Sequence, residues 1–429
     1  MTYKEAEEYI LSIPKFTKKN KPEHTRLFLE YLGNPQEKLK VIHVAGTNGK
    51  GSVCVYLDAM LRAEEKKVGL FTSPHLVKLN ERIVINGKMI SDEKFLEVFG
   101  KVMEKVEEME RHGLPHPTFF EFLFGMAMSA FAMEQVEYAV LETGLGGRLD
   151  ATNSVEHPIC TVITSIGMDH MTILGDTLEK IAAEKAGILK PGVPLIYADG
   201  EECSNRVIEE KVAGLGISCK KIGKNAFDIL GIEEKHIAFS CVNAYYEDVI
   251  WKLNNIGIYQ PENAMLAMEV MRELFAESGH PARWKAALFN VKWQGRMEEV
   301  LPGIYVDGAH NISAIERFTE SVPDTGKGNL ILFSAVQDKD YEEMIACLCR
   351  NVKADGYVVT HIEDKRAEDT EKLAAVFRKY TKKPVLVRAL LRDAWEYVLK
   401  NQKGRTVYCL GSLYLVGMVK AMIQEDSRC

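Results

Sequence analysis

Short runs of β-branched and aliphatic residues recur along this chain, and most are apolar throughout. They are Val41–Val44, Val68–Phe71, Tyr138–Leu141, Cys160–Thr164, Pro194–Ala198, Ile304–Val306, Leu330–Phe333, Tyr357–Thr360, Pro384–Val387 and Val407–Leu410. A strand without a polar face must be covered on both sides, as parallel strands in α/β sheets are. Helical patterns such as Phe119–Met133 and Asn263–Phe275 separate several of the runs. The chain is therefore expected to be α/β with mostly parallel sheets. Its 429 residues leave room for two or three domains of ~150 residues. Periodicity breaks at Lys292–Gly303, which predicts an N-terminal unit of 1–295 and a smaller C-terminal unit of 296–429. Ile217–Trp251 has short segments with scattered polar residues and reads as a β-rich lobe or excursion.

Polar or glycine-rich clusters follow these strands. Gly46–Ser52 follows Val41–Val44, and Ser73-Pro-His follows Val68–Phe71. Glu142–Arg148, Asp169-His170 and Asp307–Asn311 follow three others. Ligands of open α/β sheets bind beyond the carboxyl ends of strands, so the candidate sites sort onto one edge of each sheet. Lys and Arg number 54 against 61 Asp and Glu, a formal net charge of −7. That balance excludes a broad electrostatic grip on nucleic acid or an anionic membrane. An anionic ligand must then be held by helix N-termini and single basic residues. The most apolar run, Phe122–Met133, is 12 uncharged residues, well short of the ~20 a bilayer span needs. The start, Met1-Thr-Tyr-Lys-Glu-Ala-Glu-Glu, has acids where a signal peptide carries bases. The nine cysteines are scattered, and Cys347-x-Cys349 is not a zinc spacing. Reduced thiols and a cytoplasmic location are the expectation.

Val41-Ile-His-Val-Ala-Gly-Thr-Asn-Gly-Lys-Gly-Ser52 reads as strand, glycine loop and helix start. Its backbone N–H groups and helix dipole suit a phosphate, Lys50 adds a point charge, and Ser52 can reach Mg²⁺. It departs from the general P-loop, because Gly51 separates Lys50 from Ser52 and Val44 replaces the first glycine. Leu141–Asn153 mimics a dinucleotide fingerprint but has Leu149 where Gly or Ala is required, which disfavours an NAD enzyme. Glu142 at its strand end suits Mg²⁺, and a solvated glutamate is an equal reading. His170 alone reads as a structural histidine. Lys185 shares an apolar helix stripe with Leu178, Ile181 and Ala182. It is either a buried, neutralised amine or a snorkelling lysine near a helix end. Asn263 lies near a helix cap. Arg296 suits a phosphate and Asp307 a ribose hydroxyl or metal, or each makes an interdomain or turn contact.

The chain carries, in order, Leu32-Gly-Asn-Pro-Gln, His43–Ser52, Ser73-Pro-His-Leu76, Thr118-Phe-Phe-Glu121, Leu141–Asn153, Asp169-His170, Glu184-Lys-Ala-Gly-Ile188, Asp307-Gly-Ala-His-Asn311 and Gly411–Gly417. This set resembles the folylpolyglutamate synthase/dihydrofolate synthase family, a branch of the Mur-type amide ligases, over most of the chain. The Gly-Lys-Gly-Ser form separates this branch from the cell-wall ligases, which carry Gly-Lys-Thr or Gly-Lys-Ser. The resemblance implies a P-loop-type N-terminal domain and a Rossmann-like C-terminal α/β domain. It implies a monomeric, ATP-dependent enzyme that joins L-glutamate to folates, or to dihydropteroate, through an acyl phosphate. Gly49, Lys50, Gly51 and Ser52 match the family's ATP loop, and Asn263, Arg296 and Asp307 its further ATP contacts. Ser73, Glu142 and His170 match its Mg²⁺ positions, with a monovalent cation as a further candidate. Lys185 matches a lysine carried as a carbamate (N6-carboxylysine). Lys50, Lys185 and His170 are the implied catalytic set. Thr118, Phe119, Phe120, Glu121, Leu149, Asp150 and Ala151 match the folate pocket. Two positions depart from the pattern: Tyr259-Gln260 stands where His-Gln is commoner, and Ile312 follows Asn311 instead of Pro. A cell-wall peptide ligase and a non-catalytic nucleotide-binding module are the alternatives. Thr118-Phe-Phe-Glu121 argues against the first, and Glu142 with Lys185 against the second.

Overall fold

In the computed structural model, which describes residues 1–14, 22–233, 235–242, 246, 249–323 and 326–426, the apolar runs become the strands of two large sheets. The first has eight strands, in the order Lys88–Met89, Ile83–Ile85, Val68–Phe71, Tyr138–Glu142, Lys40–Ala45, Cys160–Ile163, Leu195–Ala198 and Cys219–Ile222. Val68–Phe71 and the five strands that follow it in this order run parallel, so their carboxyl ends share one edge. The helices Lys50–Ala63 and Gln260–Phe275 cover one face, packing with Ile42, Val140 and Val162. Helices Tyr3–Ser12, Pro22–Tyr31, Asp92–Arg111 and Phe119–Met133 cover the other. Phe119–Met133 is apolar nearly all round because it lies between the sheet and those other helices. Among the described residues no helix is long and apolar enough to cross a membrane.

Two edge elements go beyond the sequence expectation. Ile83–Ile85 and Lys88–Met89 form an antiparallel hairpin. Its turn residues Asn86 and Gly87 have φ of 53° and 75°, the conformation that an Asn-Gly pair favours in a tight hairpin. The stretch Ile217–Trp251 divides: Cys219–Ile222 extends the large sheet, and the rest contributes to a separate antiparallel sheet. That sheet has the order Ile250–Leu253, His236–Cys241 and Phe227–Glu233. Its inward residues Ile237, Phe239, Trp251 and Leu253 pack with helix Gln260–Phe275. Residues 234, 243–245 and 247–248 of this stretch lie outside the described residues.

The second large sheet has the order Glu298–Leu301, Ile304–Val306, Thr406–Leu410, Asn329–Phe333, Ala354–Val359 and Val385–Val387. It is parallel apart from the first strand, whose hairpin with Ile304–Val306 lies across the expected break in periodicity. Apolar clusters cover both of its faces. The eight described cysteines are all free thiols.

Candidate active site

Every site residue singled out in the sequence lines a single cavity of about 1360 Å³, which opens at the carboxyl edge of the eight-stranded sheet and is closed from the other side by residues around the second sheet. Its floor is the loop Gly46–Gly49 between strand Lys40–Ala45 and helix Lys50–Ala63. Gly46 and Gly49 have φ of 150° and 88°, and a Cβ on either would overlap Thr164 or Asn263. Thr164 and Ser165 hydroxyls donate to Asn48 O at 2.6 and 3.2 Å, and Thr47 N donates to Ser165 O at 2.9 Å. The loop is therefore fixed without help from a ligand. No side chain caps the helix that follows, so its first N–H groups remain available to an anion. Lys50 stands there with Nζ 3.2 Å from Thr47 O.

Glu142 ends the neighbouring strand and is 4% exposed. Its Oε2 accepts the Ser73 N–H at 3.0 Å. Burial raises its carboxyl pKa, against the opposing charges of Lys50, Arg296 and Arg82. Ser73 and His170 line the same cavity. Among the described residues no three His, Cys, Asp or Glu side chains are grouped to hold a metal ion. A cation beside Glu142 would thus have one carboxylate and would complete its shell with water and phosphate oxygens. Mg²⁺ is commonly held in that way, so this donor set fits it.

Lys185 projects from helix Leu178–Ala186 with Ile181 and Ala182 buried on the same side. The snorkelling alternative fails, since the side chain is 3% exposed and Nζ donates to Gly46 O at 2.7 Å. Burial, and then the Lys50 charge, push its pKa from 10.5 down to about 7. Asp169 and His170 follow strand Cys160–Ile163. Asp169 is ion-paired with Lys339 and accepts Asn311 Nδ2 at 3.0 Å. Burial opposes ionisation of Asp169, but Lys339, His310 and His170 outweigh it and hold the carboxyl well below its ordinary value. Burial lowers the pKa of His170, against the opposing charge of Asp169.

Lys339→Met is expected to destabilise the protein by about 3–5 kcal/mol, because it leaves a buried carboxylate without its cation. The depressed pKa of Asp169 contributes stability that is whole above its ordinary value of 3.8 and is lost as pH falls below it. Thermal melts from about pH 5 down to pH 2 should therefore show a weaker acid dependence in the variant. Equal acid dependence would remove the assignment.

The other arm of the cavity is aromatic. Phe119 and Phe120 open helix Phe119–Met133, and the Phe120 ring centroid lies 5.5 Å from that of Phe71. Arg82 lies 5.3 Å over the Phe119 ring and donates through Nε to His75 Nδ1 at 2.9 Å. Thr118 and Glu121 form a capping box. Glu121 also accepts Thr25 Oγ1 at 2.7 Å and is paired with His24. These donors overcome burial and hold its pKa at about 2. Asp150 is likewise engaged inside the protein, by Leu145 N at 2.9 Å and Thr152 Oγ1 at 2.7 Å. The surfaces this arm offers are chiefly the rings of Phe119 and Phe120, with Leu149 and Ala151.

Asn263 is not a cap. The helix begins at Gln260, and Asn263 donates to Gln260 Oε1 at 3.2 Å while its Oδ1 lies over Gly49. Asp307 accepts Met297 N and Ala309 N, both at 2.8 Å, and the Tyr259 hydroxyl at 2.9 Å. Tyr259, which stands where the resemblance favours His, is thereby tied to the second sheet. Burial raises the pKa of Asp307.

Three groups escaped the sequence reading. Lys339 follows strand Asn329–Phe333, so the strand-end rule was able to find it. Asn48 and Asn311 exchange amide hydrogen bonds of 3.2 and 3.1 Å and so join the floor loop to the second sheet. His43, fully buried, has Nε2 2.8 Å from Thr152 Oγ1 and links the floor strand to Asp150. Asn48 and Asn311 lie in two of the strand-end clusters, but nothing local marks their pairing with each other or that of His43 with Thr152.

The chain matches the Mur ligase middle domain family over residues 44–271 and the family described as Mur ligase, glutamate ligase domain, over 295–413. It is 36% identical over 358 residues to the dihydrofolate synthase/folylpolyglutamate synthase of Bacillus subtilis, covering 80% of this chain and 82% of that one. The Mycobacterium tuberculosis folylpolyglutamate synthase structure complexed with ADP and AMPPCP superposes with a TM-score of 0.88, at 26% identity and 98% coverage of both chains. Escherichia coli FolC in complex with DHPP and ADP gives 0.85 at 27% identity, covering 100% of this chain and 99% of that one.

Proposed function

The chain belongs to the Mur ligase family, in its folylpolyglutamate synthase and dihydrofolate synthase branch, and we propose from that premise how its residues join L-glutamate to a folate carboxylate with ATP. The observation that carries this reading is that one cavity holds the glycine loop, Glu142, Lys185 and the aromatic arm together. A carboxylate does not accept an amine directly, since oxide would have to leave. A carboxylate oxygen first attacks the γ-phosphorus, the β–γ bridging bond breaks, and ADP departs. The glutamate nitrogen then attacks the acyl carbon, loses a proton, and phosphate leaves.

Gly49, Lys50, Gly51 and Ser52 hold the phosphates through N–H groups, one cation and a hydroxyl. Asn263 and Arg296 extend the nucleotide site. Asp307 fixes Met297 and Ala309 on either side of it and completes the nucleotide site from the second sheet. Ser73, Glu142 and His170 would hold Mg²⁺, which would supply charge neutralisation for the transferring phosphoryl group. Phe119, Phe120, Leu149 and Ala151 receive the pterin ring, and Thr118, Glu121 and Asp150 hold that wall in shape. Lys185 is carried as a carbamate: neutral Nζ adds to the carbon of CO₂, one C=O pair moves to oxygen, and an N–H proton goes to solvent. Its pKa of about 7 supports this, because the neutral amine is the reacting form. We divide the chain into units 1–295 and 296–429. The family matches and the membership of the two large sheets support that boundary.

The test is incubation with ATP, Mg²⁺ and L-glutamate plus either dihydropteroate or a reduced folate, with products weighed. One added glutamyl residue on at least one acceptor is expected, with ADP formed in step. ADP release indifferent to both glutamate and acceptor would reject the reading.

A further inference from the structure

The departure of the floor loop from the general P-loop has a cause in space. A Cβ built on Gly51 would lie 2.8 Å from Cζ2 of Trp293, closer than real Cβ contacts come. It would also be 3.5 Å from Glu142 Oε2, so the indole edge, Gly51 and the Glu142 carboxylate share one small space. Trp293 comes from the linker between helix Pro281–Asn290 and the second large sheet. Its indole Nε1 is buried and has no hydrogen-bond partner among the described residues. Three residues on, the same linker carries Arg296, whose backbone O accepts Asn255 Nδ2 at 2.6 Å. Gly295 O accepts both Gly308 N at 2.8 Å and Arg296 Nη1 at 3.0 Å. The linker is therefore held at one end by the second sheet and at the other by the glycine of the floor loop.

We propose that Trp293 is a positioning residue: its indole seats the linker on Gly51, setting Arg296 over the nucleotide loop, and it is the reason position 51 is glycine. This rests on the reading of Gly46–Ser52 as the nucleotide loop. It makes Gly51 and Trp293 a matched pair, so a side chain at 51 is tolerated only when the indole is gone. The other tryptophans do not confuse the measurement. Trp251, Trp284 and Trp395 are at most 1% exposed, inside apolar clusters, whereas Trp293 is half-buried beside the loop.

The experiment is a pair of double-mutant cycles on the full chain, read by calorimetric ADP titration and by steady-state kinetics. Gly51→Ala is expected to raise the ADP Kd about 10-fold or more, since the loop or the indole must move. In Gly51→Ala/Trp293→Leu the Kd should return to within about 3-fold of Trp293→Leu alone, a strongly non-additive result. In the second cycle, the rise in ATP KM caused by Arg296→Ala should shrink in the Trp293→Leu background, with the folate KM unchanged. ADP should also change the intrinsic fluorescence of the parent and not of Trp293→Phe. Additive effects in the second cycle overturn the proposal, and that cycle decides alone if Gly51→Ala does not fold. Failure of the parent to bind ADP would overturn the nucleotide reading itself, and this inference with it.

Discussion

Lys185→Ala is expected to lower glutamate-dependent ADP release by at least about 100-fold while leaving the chain folded. The side chain lies 3% exposed beneath the floor loop, bonded to Gly46 O. A protonated amine there costs desolvation and faces the Lys50 charge, which is why its pKa falls to about 7. A carbamate removes that conflict. It keeps one N–H for the Gly46 carbonyl and places a negative group near the cations of the cavity. Small carboxylic acids such as acetate should restore part of the activity to Lys185→Ala, because they supply the missing carboxylate. In CO₂-free buffer a second sign appears. Between about 7 and the ordinary 10.5 the unfolded chain holds a proton on Lys185 that the folded chain lacks. Stability should therefore rise with pH across that window in the parent and not in the variant. An active enzyme whose intact mass shows only unmodified lysine would reject the carbamate.

What the sequence revealed, and what it hid, divide along one physical line. Residues whose placement follows from the element they sit on were legible. Glu142 ends an apolar strand, Gly46–Ser52 joins a strand to a helix, and Lys185 interrupts an apolar helix stripe. Each position follows from local periodicity and the rule that sites gather at strand ends. Residues whose role depends on a distant partner were not. Lys339 follows a strand end, but nothing local pairs it with Asp169, which is 170 residues away. His43 reads as a polar interruption of a strand until Thr152 is seen beside it. Glu121 and Asp150 line the cavity but also have a second place in the structure that the motif does not show. As carboxylates in a motif they suggest ligand contacts, yet in the structure their oxygens are engaged by Thr118, Thr25, Thr152 and Leu145. The hairpin at Asn86-Gly87 is a third kind of miss, since its turn pair is a local signal that a search for apolar runs passes over. The resemblance supplied residue roles that spacing left open, but not the reason for Gly51, which needed the position of Trp293.

Lys50→Ala should be as damaging as loss of Lys185, about 100- to 1000-fold in ADP release, because it withdraws the cation of the floor loop from the transferring phosphoryl group. Its side chain donates to Thr47 O, while the loop's shape is held by Thr164, Ser165 and Thr47. The fold should therefore survive, and unchanged melting is part of the expected result. The effect should reach further than the phosphate. After burial, the Lys50 charge is the largest influence lowering the pKa of Lys185, and it is the chief opponent of burial at Glu142. Removing it lets both values rise. Lys185 then keeps its proton to higher pH, so whatever activity remains should climb with pH later than in the parent. Lys50→Arg preserves the charge without the compact ammonium. It should keep the parent pH dependence while still losing rate, because a planar guanidinium cannot take the same place among the loop N–H groups. Full activity in Lys50→Ala would reject the nucleotide loop. A large loss with an unshifted pH profile would leave that loop in place and reject the electrostatic link from Lys50 to Lys185.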